Sequence, residues 1–301
     1  MTLILLLHIL FASTFTSGKF LSSQTSPIFL TGLRMFLGGI IVLIYLLIKN
    51  RKREIVFDWA DWKSFAQILL FGVYANYILR FWALAYLPSS KACFLFNIQP
   101  FLSSLYVYLL YNEKLSFNRW VGLLVGFLGM IPILISNSSS ELAPSTFLFF
   151  SLPELATLVS AGMHSYSWII VQYLVKTKKY DPTFITGTTM TLGGLLALAT
   201  AWIVGDLPPL NKSSEFLFLL LYVVLVSNVF CHNLYGHLLK IYSATLMAFA
   251  SFLTPIFAGI LGAVFLKETI TWHFYISTIV VCMGLYIFYS DELVMHSNKR
   301  T

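Results

Sequence analysis

Charge is what this chain has least of. Only 10% of its 301 residues are Asp, Glu, Lys or Arg, against about 25% in a soluble domain. With 58% hydrophobic residues and a mean hydropathy of +0.82, too few polar side chains remain to cover a water-exposed globule. A soluble fold is excluded, and the apolar surface must face lipid. Cysteine is scarce too. Cys93, Cys231 and Cys282 are odd in number, lie far apart inside apolar runs and have no metal or redox spacing. They read as small apolar packing residues. There is no strict apolar–polar alternation, which argues against barrel strands. No Lys or Arg precedes the first apolar run, so the basic n-region of a cleaved leader is missing and that run is read as a span. GxSxG, HExxH and carboxylates paired within a span are all missing, which leaves an embedded enzyme without a motif. A ring of like filter residues, as a channel needs, is also missing. The net charge of +7 sits in short clusters between apolar runs. It therefore reads as a topology signal, and no nucleic-acid partner is expected.

What is present is a series of apolar stretches. A spanning helix needs about 20 mostly apolar residues. Ten stretches qualify: 1–17, 27–48, 64–87, 92–111, 120–136, 147–175, 183–204, 216–240, 244–266 and 272–289. Backbone groups in lipid must bond within their own segment, so these are helices. The expected fold is an all-α integral membrane protein of ten transmembrane helices. With the N-terminus in the cytoplasm, 13 basic residues fall inside. Four (Lys19, Lys91, Lys212 and Lys267) fall outside, and Arg34 and Arg80 lie within spans. That bias places both termini in the cytoplasm.

The chain also repeats itself. A shift of 155 residues lays Pro100 on Pro255, Glu113 on Glu268, Gly129 on Gly284, Phe94 on Phe249 and Val125 on Val280. The repeat holds five spans, an odd number, so the second copy enters the membrane from the opposite face. The expected organisation is a first five-helix repeat over 1–136, a linker over 137–146, a second repeat over 147–290 and a cytoplasmic tail over 291–301.

Polar residues inside spans are costly and point to function. Arg34 and Arg80 each lie seven residues from the outer end of their helices, roughly 10 Å deep. A planar guanidinium there could hold a substrate carboxylate or form a salt bridge, for which Glu154 is the natural partner. Asn76 and Tyr77 share the Arg80 face. The same 155-residue shift places Tyr77 on His232 and Arg80 on Tyr235, beside Asn228, which gives two polar stripes that could wall one cavity. Pro100 and Pro255 lie mid-helix and should break it, freeing carbonyls at Phe96 and Ser251. Asn97 and Gln99 lie beside the first break, and Trp168 could stack on a flat substrate. His164 and Glu154 are candidates for proton coupling. His232 and His237 are five apart, the wrong spacing for one helical metal face, so no metal or other cofactor is expected. Gly122, Gly126 and Gly129 mark close helix packing, either between the halves or in a homodimer.

Several of these features recur together in one family. Phe11–Lys19 (FASTFTSGK), Thr31–Met35 with Arg34, Asn76–Leu87 followed by Pro88, and Pro100, Glu113 and Trp120-Val121-Gly122 stand in order, and Pro255 and Glu268 repeat the pattern. In these the chain resembles the EamA-type ten-helix carriers of the drug/metabolite transporter superfamily. The resemblance implies a secondary carrier with a central cavity lined from both halves. It also implies substrates such as amino acids, nucleotide-linked sugars, drugs, purines or S-adenosylmethionine. Arg80 departs from the family pattern, which has an uncharged residue there. With the two arginines, this favours a zwitterionic or anionic metabolite, amino-acid-like or S-adenosylmethionine-like. A drug or purine/nucleotide-type exporter is the alternative. The expected setting is a bacterial inner membrane, with the lipid bilayer and a small-molecule substrate as partners.

Overall fold

The structure is a computed structural model of the chain. It describes residues 2–49, 57–111, 116–129, 131–132, 146–147, 150–205, 213–242, 244–251, 253–267 and 271–298. Glu113, Glu268 and linker residues 137–145 lie outside the described residues.

The described chain is helical throughout, apart from one antiparallel pair of two-residue strands, β1 (Thr146–Phe147) and β2 (Phe150–Ser151). The helices are α1 (Thr2–Gln24), α2 (Pro27–Lys49), α3 (Trp59–Tyr86), α4 (Ser89–Phe96), α5 (Gln99–Tyr111) and α6 (Phe117–Gly129). They continue as α7 (Leu152–Lys176), α8 (Pro182–Val204), α9 (Ser214–Leu238), α10 (Ala244–Ala250), α11 (Leu253–Leu266) and α12 (Trp272–Asn298). Among the described residues, six helices are long and apolar enough to cross a membrane by length and composition. Large side chains such as Ile48, Trp202, Phe218, Val264 and Tyr286 stand exposed on their outer faces. In water they would be a liability; in a bilayer they are the lipid contact.

Helix ends follow from local chemistry. Ser151 and Glu154 form a reciprocal capping box with Pro153 in the first turn, so α7 starts at Leu152 rather than at Phe147. Asp181 caps α8 ahead of Pro182, and Gly205 closes it with φ of 73°. Two helices depart from the sequence expectation in length. α1 continues through the polar run to Gln24, and α12 continues to Asn298, into the stretch read as a tail.

Two apolar stretches read as single spans are each broken. The chain leaves helix at Asn97, and α5 restarts with Pro100 as its second residue. The second break follows Ala250, and α11 restarts with Pro255 as its third residue. Each proline therefore stands in the first turn of a new helix, where its missing N–H costs nothing, rather than at a mid-helix kink. Two other helices widen. Ile68–Tyr74 in α3 and Val223–Cys231 in α9 are π-helical. There Ala75 N–H reaches Leu70 O, and His232 N–H reaches Ser227 O, five residues back.

Element starts recur at one interval. Pro27 and Pro182, Ile68 and Val223, Ser89 and Ala244, and Phe117 and Trp272 are each 155 residues apart. Two of the matched helix pairs also pack on each other. In α2 and α8, Gly39 lies against Thr191, and Gly194 against the Phe36 backbone. In α6 and α12, Gly126 lies against Gly284, and Gly129 against Val281. A Cβ at Gly39, Gly194, Gly129 or Gly284 would collide with the partner helix, and one at Gly126 with Phe101, which is how small residues replace the hydrophobic effect as packing drive in lipid. The Gly126 face, with Phe101 also upon it, is thus used within the chain.

Candidate functional site

The two intramembrane arginines meet at one ring. Arg34 on α2 and Arg80 on α3 hold their guanidinium carbons 5.0 and 4.1 Å from the Tyr77 ring centre. Their surroundings then diverge. Arg34 is buried at 1% exposure. Its Nε and Nη2 donate to Asn228 Oδ1 at 3.2 and 2.6 Å, and Nη2 also donates to Ser227 Oγ at 3.2 Å. Asn228 returns a bond from Nδ2 to Arg34 O at 3.1 Å. Arg34 and Asn228 therefore clamp α2 to the π-helical part of α9, and both side chains are occupied by each other.

Arg80 has no such clamp. Its guanidinium lies among the rings of Tyr77, Phe96 at 5.0 Å, Phe15 at 5.5 Å and Phe81 at 5.7 Å. Such contacts are each worth about 0.5–2 kcal/mol. They leave its five N–H donors unspent. Glu154, the partner expected from the sequence, pairs elsewhere. Its Oε1 takes Lys91 Nζ at 2.7 Å, and its Oε2 takes the Ser151 N–H at 2.7 Å. The correction has a local cause: the capping box turns Glu154 toward the helix start, where Lys91, buried on α4, meets it.

Arg80 opens into a central cavity of about 50 Å³. Its polar lining includes Tyr77, Asn97, Gln99, His164, Tyr235 and Ser251. Ser251 Oγ donates to Asn97 Oδ1 at 2.7 Å, joining the two helix breaks across the molecule. Asn97 Nδ2 and His8 Nε2, both on the same lining, are buried without a hydrogen-bond partner among the described residues. Three donors or potential donors thus converge on one hollow: Arg80, Asn97 and His8. Among the described residues no Asp or Glu lines it. A larger hollow of about 650 Å³ between α3, α5 and α7 is lined almost wholly by apolar side chains such as Phe71, Ile98 and Leu158. Among the described residues its lining carries no charged side chain.

The other candidates form the wall behind the cavity. Tyr77 Oη lies 2.6 Å from His232 Nε2, and His232 Nδ1 lies 2.7 Å from Ser227 O. A carbonyl only accepts, so Nδ1 carries the proton and Tyr77 donates to Nε2. Trp168 Nε1 donates to His164 Nε2 at 2.8 Å. An indole only donates, so a proton placed on that nitrogen would break the bond. Asn76 faces His164 Nδ1 at 3.1 Å, donates to Gly72 O at 3.1 Å, and accepts from Ser160 Oγ at 2.7 Å. Trp168 packs on Tyr235 with ring centres 4.1 Å apart. Trp168 and His232 border a second hollow of about 30 Å³. The structure thus brings Tyr77, Arg80, Asn97, Gln99, Tyr235 and His164 to one cavity. It places Arg34, Asn76, Asn228, Trp168 and His232 behind it or in helix seams. Among the described residues no cluster fit to hold a metal ion is present.

Sequence reasoning missed His8, Phe15 and Thr254 on the lining, and took Phe96 and Ser251 only as freed carbonyls, not as lining side chains. His8 is a lone polar side chain early in the first span. Ser251 and Thr254 flank Pro255 as Asn97 and Gln99 flank Pro100. His8, Ser251 and Thr254 were each legible as a polar interruption in an apolar run, whereas Phe15 and Phe96 carry no such signal.

A polytopic helical membrane protein with helices broken at a central polar hollow, and with buried donors left open there, has the build of a solute carrier. The EamA-like transporter family model matches residues 1–135 and again 151–290, and the chain belongs to that family. A similar curated protein is the S-adenosylmethionine/S-adenosylhomocysteine transporter of Chlamydia muridarum, 28% identical and covering 96% of this chain and 91% of that one. A WAT1-related chloroplastic protein of Arabidopsis thaliana is 24% identical over 87% of this chain and 63% of its own. A crystal structure with a TM-score of 0.70, at 17% identity and 95% coverage of both chains, shares the fold.

Proposed function

We propose that the chain is a secondary transporter of an adenosyl amino acid of the S-adenosylmethionine/S-adenosylhomocysteine type. The observation that carries this reading is Arg80, an intramembrane guanidinium with its donors open to the central cavity, next to the unpartnered Asn97 amide. A carboxylate satisfies both with short charge-assisted bonds, and the Phe11 and Tyr235 rings on the same lining offer faces for a nucleoside. The relatives named for S-adenosylmethionine and S-adenosylhomocysteine support the substrate class.

Movement follows by alternating access between two inverted five-helix repeats, 1–136 and 147–290. Two observations support this. Helix starts recur at 155 residues, and Tyr77 touches His232, also 155 residues away. A side chain that touches its own counterpart lies on the axis relating the two copies. The ends of α7 supply the gates. Lys91–Glu154 ties its start to α4, and Lys178 Nζ–Asp61 Oδ1 at 2.9 Å ties the chain just past its end to α3. With both closed, the cavity is too small for the substrate, so loading requires one end to open. The setting is a bacterial inner membrane with both termini cytoplasmic, supported by the basic-residue bias and the bacterial relatives.

Counterflow in proteoliposomes tests the reading. Vesicles loaded with unlabelled S-adenosylmethionine should accumulate labelled S-adenosylmethionine saturably. Ohmic current, or no exchange with either adenosyl compound, would refute it.

A further inference from the structure

Among the described residues, the central cavity carries charge of one sign only. Arg34 and Arg80 share the Tyr77 and Phe81 rings, each guanidinium carbon lying within 5.7 Å of both centres. The acidic side chains Asp61, Glu154, Asp181 and Glu215 stand at helix ends. Two of them are taken up by Lys91 and Lys178. Arg34 is neutralised by nothing stronger than the amide and hydroxyl dipoles of Asn228 and Ser227. The ligand itself must therefore bring the counter-charge, and any positive charge it carries is a liability.

This separates the two members of the substrate class named above, on which the inference rests. Both have the same α-carboxylate, α-ammonium and adenosine. They differ at sulfur, which is a neutral thioether in one and a methylsulfonium cation in the other. The zwitterion is net neutral with the thioether and net positive with the sulfonium. Sulfur is four bonds from the carboxyl carbon, so a carboxylate seated on Arg80 holds it within roughly 5 Å of that carbon and roughly 9 Å of the guanidinium. An aromatic face would be the natural refuge for a sulfonium, but the faces nearest the carboxylate, Tyr77, Phe81, Phe96 and Phe15, already carry a guanidinium. A second cation on the same quadrupoles meets the first.

We infer that the cavity is a charge filter that binds the neutral thioether form in preference to the sulfonium form. Between unit charges at this separation in a partly buried site, the repulsion is enough for a preference of at least about tenfold. Gln99, on the same lining and 7% exposed, is the lever. A carboxylate there would cancel one positive charge with little change of shape.

The test is competition in proteoliposomes of the full chain during labelled S-adenosylmethionine counterflow. Unlabelled S-adenosylhomocysteine should compete at a concentration at least about tenfold lower than unlabelled S-adenosylmethionine. Decarboxylated S-adenosylmethionine should not compete. In Gln99→Glu the preference should narrow or invert. Equal competition by the two, or tighter binding of the sulfonium in the unaltered protein, would overturn the filter while leaving the transporter reading intact. So would a Gln99→Glu protein that still exchanges with an unchanged ratio. Saturable movement of neither compound would remove both.

Discussion

Arg34 and Arg80 stand on neighbouring helices, at similar depth, against the same tyrosine ring, yet they belong to different kinds of region. The seam around Arg34 is closed: Nε and Nη2 are bonded to Asn228 and Ser227, the Tyr77 and Phe81 rings lie beside the guanidinium, and the side chain is 1% exposed. The wall around Arg80 is open: rings hold the guanidinium from the sides, and its polar edge faces a hollow. The difference teaches that an intramembrane charge reveals function only through what is left unsatisfied around it. Depth and helix face alone, which made the two look alike in the sequence, do not separate an arginine bonded within the fold from one left open to a cavity.

The strongest way to break the contrast is at Asn228. In Asn228→Leu the Arg34 charge stays buried without its acceptor, and stability should fall by about 3–5 kcal/mol. That would appear as a large drop in melting temperature of the detergent-solubilised protein. A mild effect would mean that Arg34 is not the structural member of the pair. Next comes Arg80→Gln, which removes a charge that the fold does not bond. Its melting temperature should stay close to the parent. Counterflow should fall by roughly 10- to 100-fold, as expected for the loss of a charge-assisted clamp. If it melts as early as Asn228→Leu, the two regions are of one kind.

The smallest effect sharpens the contrast from outside the membrane. Asp61 accepts from Lys178 and holds that ammonium above the ordinary lysine value of 10.5. A cation whose folded value is raised adds stability that is fully present below the unfolded value and is lost as pH rises through the folded one. The melting difference between the parent and Lys178→Ala should therefore be small and constant from neutral pH upward, closing only above pH 10.5. A difference that changes near neutrality would place another titrating group in this latch.

Most of the fold was legible in the sequence because lipid enforces a simple code: long apolar runs are helices, and basic clusters lie between them. The cavity residues Tyr77, Arg80, Asn97, Gln99 and Tyr235 were legible as polar interruptions on those runs. What was not legible depended on direction rather than composition. Nothing in the hydropathy says that Glu154 turns to Lys91, since that follows from a capping box at one helix start. Nor does it say that the chain leaves helix at Asn97, three residues before the proline that signals the break. One signal was present and unused. Over the second and seventh spans, Thr31, Gly32, Met35, Gly38 and Gly39 recur as Thr186, Gly187, Met190, Gly193 and Gly194, at the same 155-residue shift. Arg34 falls on Thr189 there, so the arginine is a feature of one copy only.

The π-helical stretch Ile68–Tyr74 lies just ahead of Asn76, Tyr77 and Arg80. It stores an additional residue within the helix, so a single deletion there would be absorbed by a return to plain α-helix, with the faces on either side kept. The same deletion between Tyr77 and Arg80, where the helix is plain α, has no spare residue to draw on. Every side chain beyond it would swing by roughly 100° about the helix axis, carrying Arg80 off the hollow. The wall is therefore tolerant of a lost codon ahead of Asn76 and strict just beyond it.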